Sequence, residues 1–138
     1  MSVDEIIQAS CKELKLAYVF ATVANGKVIL SSYRRFPALI RTFGESITET
    51  QNKDEFTSEM MFYFAENMVS DSDIDKMQAS TRRMQYLGFE FIRLLRKNGI
   101  RVETSNVRTS LGEFDNCKLS GLAMTAKLTY TVCEGCIS

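Results

Sequence analysis

The run "GLAMTAKLTYTVCEGC" (residues 121–136) alternates almost without a break. Leu122, Met124, Ala126, Leu128, Tyr130 and Val132 share one side; Ala123, Thr125, Lys127, Thr129, Thr131 and Cys133 share the other. Successive side chains of a strand point to opposite faces, so a period of two with one apolar side predicts a half-buried antiparallel strand. The alternation starts near Leu119. It ends in Cys133-Glu134-Gly135-Cys136, the spacing of a redox pair or half a zinc site. A structural zinc needs four ligands. Cys11 and Cys117 are the remaining thiols, and neither belongs to a second such pair. A thioredoxin-like pair would open a helix in a βαβ unit, whereas this one trails a strand. The strand reading takes precedence, and a zinc or thiol role for Cys133 and Cys136 stays as an alternative.

Upstream, the clearest element is "SDSDIDKMQASTRRMQYLGFEFIRLLRKNG". Ser70, Asp71, Ser72 and Asp73 offer N-caps and first-turn negative charge. Ile74, Met77, Thr81, Met84, Gly88, Phe91 and Leu95 step 3, 4, 3, 4, 3, 4, and Leu87, Ile92 and Leu94 widen that stripe. Arg93, Arg96 and Lys97 fill the last turn and Asn98-Gly99 supplies the C-cap. A long amphipathic helix over about 73–97 follows.

"DEFTSEMMFYFAE" (54–66) is apolar on both sides: Phe56, Met60, Phe62 and Phe64 against Met61, Tyr63 and Ala65. Met, Glu and Ala favour helix, but the run lacks a 3.6 period. It reads as a strand that is central or meets another subunit. "LAYVFATV" (16–23) and "KVILSSY" (27–33) flank Asn25-Gly26, a type I′ hairpin signal. Pro37 cannot donate to a ladder, so in the strand "FPALIRTFG" (36–44) it should open the strand or sit on an edge. "ESITETQ" (45–51) is expected to pair back across Gly44. "IRVETSNVRTS" (100–110) reads as another strand and "LGEFDN" (111–116) as a turn. At the N-terminus, Ser2 and Glu5 have capping-box spacing, and Val3, Ile6, Ile7 and Leu14 predict a short helix over 3–14.

Together these give one α+β domain spanning 1–138. It is a mainly antiparallel sheet of about five or six strands, packed by one short N-terminal helix and one long helix. The 138 residues include 17 basic and 17 acidic side chains and no histidine. Net neutrality disfavours a dedicated nucleic-acid binder, whose affinity comes mainly from basic groups. The lack of histidine removes the usual general base near neutral pH, so the chain is expected not to be an enzyme. The acidic opening "MSVDEIIQAS" lacks the pattern of a signal peptide, and no apolar run reaches a membrane span. Four cysteines in that setting suggest reduced thiols in a cytoplasm. No cofactor is expected.

Size points to assembly. Residues 119–133 at about 3.3 Å each approach 50 Å, longer than a compact domain of this size is wide. Either Gly121 bends the strand or part of the sheet projects, and projecting edges invite another chain. Tyr33-Arg34-Arg35-Phe36 mixes cations and aromatics in a loop that is either solvated or grips phosphate and stacked bases. Arg82, Arg83, Arg93, Arg96 and Lys97 make either a polar outer face or a nucleic-acid face. A small nucleic-acid-binding module is therefore a second alternative.

The order short helix, Asn-Gly hairpin, Phe36-Pro37 strand, aromatic strand 56–64, helix from Met84 to Leu95, then Phe114-Asp115 leading into Gly121 and the last strand resembles the tail-completion family. These are the tail terminator, neck or head–tail connector proteins of tailed bacteriophages, particularly those of Bacteroides-like hosts. The likeness covers most of the chain. It implies a structural virion protein, assembled in the host cytoplasm, that forms a homo-oligomeric ring, usually six-fold. Other tail or connector proteins would be its neighbours, and double-stranded DNA would pass through the lumen without sequence-specific binding. It implies no catalytic residues, no cofactor and no membrane. A row of acidic lumen residues, frequent in such rings, is not identifiable here. Contact regions are expected at the Tyr33–Phe36 loop, at the loop over 44–54 with Gly44, and along the C-terminal strand through Lys127, Thr129 and Thr131.

Overall fold

The computed structural model describes residues 2–24, 27–30, 36–42, 46–67, 74–114 and 117–131. Helix α1 runs Val3–Glu13 and helix α2 runs Ile74–Lys97. The strands are β1 (Ala17–Ala24), β2 (Lys27–Leu30), β3 (Ala38–Thr42), β4 (Ser46–Glu49), β5 (Glu55–Asn67), β6 (Arg101–Phe114) and β7 (Cys117–Thr131). The fold is α+β, as the sequence predicts, and the sheet is mostly antiparallel. Its order is β2-β1-β3-β5-β7-β6, with β4 also on β5. One pairing, β1 with β3, is parallel.

Local chemistry sets the element ends. Ser2 Oγ accepts from the Glu5 amide at 3.2 Å and satisfies one of the four orphan donors at the start of α1. Helix α2 stops at Gly99, whose φ of 87° suits a residue without a Cβ. There the Ile100 amide donates to the Leu95 carbonyl at 3.1 Å. Strand β3 begins directly after Pro37, which keeps a carbonyl for the Ala17 amide at 3.0 Å. Ala24 pairs with Lys27, leaving a two-residue connection between β1 and β2. The Asn25-Gly26 turn itself lies outside the described residues.

Three expectations need correction. Residues 111–114 are not a turn: Leu111 pairs with Ser120, Gly112 with Leu119, Glu113 with Lys118 and Phe114 with Cys117. The long ladder with β7 overrides the local turn signal of Gly112. Strand β4 does not pair back on β3. Ser46–Glu49 pairs with Phe56–Glu59, while Ala38–Arg41 pairs with Phe62–Ala65, so both lie along the same edge of β5. Thr81 is not part of the buried stripe of α2. Ser80 is buried instead, its hydroxyl against that of Ser120 on β7, and Thr81 bonds back to the Gln78 carbonyl.

Both helices cover one face of the sheet. Ile7 and Cys11 of α1 and Met84, Phe91, Ile92 and Leu95 of α2 pack on Leu39, Phe62, Phe64, Leu122, Met124 and Leu128. Phe91 meets Phe62 and Phe64 nearly edge-on, each with ring centroids 5.4 Å apart, the favoured aromatic geometry. A Cβ on Gly88 would stand 2.9 Å from a Leu122 methyl and 3.1 Å from the Phe64 ring, so α2 sits tightly over this point.

The opposite face carries a second core of Val19, Ala38, Ile40, Tyr63, Ala65, Leu119 and Ala123. The sheet curls to make it: Cα atoms of β2 and β6, at opposite ends of the strand order, come within 8 Å. Gly121 permits close approach of β7 to β5, since a Cβ there would fall 1.9 Å from the Phe64 carbonyl oxygen. No helix among the described residues is long and apolar enough to cross a membrane.

Candidate interaction surfaces

Lys127, Thr129 and Thr131 stand on the sheet face away from the helices, because β7 alternates and its even positions point into the core. Register places Thr57 beside Thr129 and Glu59 beside Lys127 on β5, with Arg101 and Glu103 opposite them on β6. Thr57 and Thr129 share a hydroxyl hydrogen bond of 3.2 Å. Arg101 Nη2 lies 3.1 Å from Glu55 Oε2. Hydrogen bonds from Thr50 Oγ1 (2.8 Å) and Asn52 Nδ2 (3.1 Å) hold the Glu55 carboxyl below its usual value, with Arg101 adding to the effect. Thr50 and Asn52 belong to the β4–β5 turn, so this network fixes the turn to the sheet.

Two shallow adjoining hollows result, of about 290 and 190 Å³. Thr50, Thr57 and Lys127 line both, joined by Thr48, Glu49 and Glu59 in one and by Arg101, Glu103 and Thr129 in the other. Charges of both signs and hydroxyls alternate across this solvated part of the sheet. Such a surface suits contact with another polar protein surface and is too shallow to enclose a small molecule.

Of the remaining predicted contact residues, Phe36 is half buried, packs on the second core and lines an open groove of about 640 Å³ between α1 and β1. Tyr33, Arg34, Arg35 and Gly44 lie outside the described residues, as do Cys133 and Cys136. Cys11 is buried, and burial pushes its thiol up to about 12, the reverse of what a nucleophile or metal ligand needs. Among the described residues, no three His, Cys, Asp or Glu side chains are grouped to hold a metal.

The basic groups of α2 are mostly engaged within the chain. Arg83 pairs with Glu66, Arg93 pairs with Glu90, and Arg96 Nη2 donates to the Val102 carbonyl at 2.9 Å. Their neighbours raise the Arg83 and Arg93 guanidiniums further above their ordinary values, chiefly through the hydrogen bonds to Glu66 and Glu90. These arginines brace the helix.

Two features escaped the sequence reading. Arg41 on β3 is buried on the helix side, bonded to the Asp4 carboxylate and, at 3.0 Å, to the Tyr18 hydroxyl. It ties the first turn of α1 to the sheet. Burial raises the Tyr18 hydroxyl, with Arg41 opposing. The sequence signal was a lone cation inside the apolar "ALIRT". The second feature is exposed apolar surface on rigid elements: Ile47, Met61, Tyr86, Phe89 and Val107 are 58, 41, 65, 50 and 41% exposed. Tyr86 and Phe89 are legible as aromatics on the side of α2 opposite its apolar stripe.

No protein-family model matches the chain, and a search of characterised proteins finds no match.

Proposed function

We propose that the chain is a structural virion protein, a ring-forming tail terminator or tail-completion subunit at the head–tail junction of a tailed phage. It works by contacts between copies, six in the ring, and with other tail or connector proteins. The ring surrounds a channel for double-stranded DNA, which it holds without reading sequence. It assembles in the host cytoplasm and ends in the virion.

One observation carries this reading: large apolar side chains stand exposed on regular elements, Ile47 and Met61 on strands and Tyr86 and Phe89 on α2. Scattered apolar atoms are ordinary on a surface, but two aromatics centred on the solvent side of one helix mark a contact site. The resemblance along the chain names the kind of assembly. Engagement of Arg83, Arg93 and Arg96 with their own chain favours protein contacts over a nucleic-acid module, which would present free cations to phosphate.

Negative-stain electron microscopy of untagged protein tests the proposal. Closed rings with an open centre are expected. Particles without a lumen at every concentration would overturn it.

A further inference from the structure

Arg82, Tyr86, Phe89 and Arg93 are spaced 4, 3, 4 along α2, so they form one narrow stripe. It lies opposite Met84, Gly88, Phe91 and Leu95, which face the sheet. Tyr86 is 65% and Phe89 50% exposed, although the helix beneath them is anchored by fully buried residues. Arg93 is paired with Glu90, whereas Arg82 has no carboxylate partner among the described residues. The stripe is thus two aromatics flanked by cations, one of them without a partner among the described residues.

The complementary pattern stands on β4. This strand is hydrogen bonded to β5 and has no second neighbour among the described strands. Ile47 is 58% exposed, and Glu49, two residues on and therefore on the same side, is exposed without an ion-pair partner among the described residues. Asp54, also exposed, adds negative charge in the adjoining turn, against Lys53 alone. An aliphatic side chain beside exposed carboxylates matches aromatics beside an exposed guanidinium.

We propose that the outward face of α2 in one copy receives the β4 edge of the next, with Ile47 on Tyr86 and Phe89 and Glu49 towards Arg82. This rests on the ring reading above and names the surfaces that build the ring. The occupant is a second copy because the chain carries both halves of the match and has no net charge to oppose self-association. The halves sit on different elements, so the contact is heterologous, the kind that closes into a ring or runs on as a filament. Buried aromatics at its centre would carry most of the affinity, with charges at the rim setting register.

The test uses full-length chains and sedimentation velocity. The pair Tyr86→Glu with Phe89→Glu removes one surface and Ile47→Asp removes the other. All three positions are exposed, so circular dichroism and thermal midpoints should match the unaltered protein. Each variant alone should be monomeric, and Ala in place of either aromatic should weaken self-association about thirty-fold. Mixed, the two variants should form a one-to-one dimer that grows no further, since each retains one intact surface. Arg82→Glu or Glu49→Arg alone should weaken assembly, and both in one chain should restore it. If the unaltered protein assembles but either variant assembles like it, or the mixture stays monomeric, this pairing is wrong and the ring reading stands. If the unaltered protein never assembles, both fall.

Discussion

The face of β5 and β7 that points away from the helices changes character along its length. At one end Tyr63, Ala65, Leu119 and Ala123 are buried with Val19, Ala38 and Ile40. At the other, Glu59, Lys127 and Thr131 are exposed, and Thr57 and Thr129 are half buried. Met61, 41% exposed, stands at the changeover. The strands are continuous throughout, so strand geometry does not cause the difference. The curl does: it brings β2 and β6 together, encloses the small residues Ala38, Ala65 and Ala123 beside the close approach of β7 to β5 at Gly121, and leaves the other end solvated. One end holds the molecule together, and the other is free to meet something else.

The helix-covered face sets the scale. Phe62→Ala should cost about 3–5 kcal/mol, because Phe62 is fully buried against Phe91 and Phe64. Denaturant unfolding monitored by circular dichroism would measure it. Ile40→Ala in the second core should cost about 2–4 kcal/mol in the same assay. A loss under about 0.5 kcal/mol there, the range of surface substitutions, would mean that the curled end is solvated and the contrast false. Gly121→Ala is expected to cost about 1–3 kcal/mol, since its Cβ would press on backbone that cannot rotate away.

Buried Cys11 adds a pH signature on the helix side. Its pKa is raised from 9.0 to about 12 in the fold, so the folded state keeps a proton that the unfolded chain loses. Below pH 9 the thiol has no effect on stability. Between pH 9 and about 12 Cys11 should lower stability by roughly 1.4 kcal/mol per unit, and Cys11→Ala should remove that part of the slope, leaving the part due to Tyr18, whose hydroxyl burial also raises. Urea midpoints of the two proteins across that range check it. The smallest effect belongs to the wet end: Lys127→Ala should change stability by no more than about 0.5 kcal/mol, and a larger loss would show that this end is structural as well.

Much of this contrast was legible in the sequence, at the solvated end most clearly. Alternation along residues 119–131 separates Leu122, Met124, Ala126 and Leu128 from Thr125, Lys127 and Thr129, because a half-buried strand needs that pattern. The double-sided apolar run in 54–66 correctly marked a central strand. Helix α2 announced itself by its stripe and Gly99, and α1 by Ser2. The parallel pairing of β1 with β3 and the place of β4 were not legible, since strands of four or five residues do not encode a partner. Leu111–Phe114 misled because Gly112 favours a turn locally while a 14-residue strand outweighs it. The curl was hidden for another reason: it depends on which edges meet, and alternation is silent on that. Of the predicted contact residues, Lys127, Thr129 and Thr131 do gather on one surface. Tyr86 and Phe89 were passed over because a helical pattern directs attention to the buried side, and Arg41 because a lone cation in a short apolar strand does not reveal its partners.

The claim on which everything functional depends is that this chain acts by joining copies of itself. Sedimentation equilibrium of freshly purified, untagged protein over a wide concentration range measures that directly. The account predicts a species of six times 15.7 kDa that gives way to smaller forms on dilution. A single 15.7-kDa species at every concentration would contradict it.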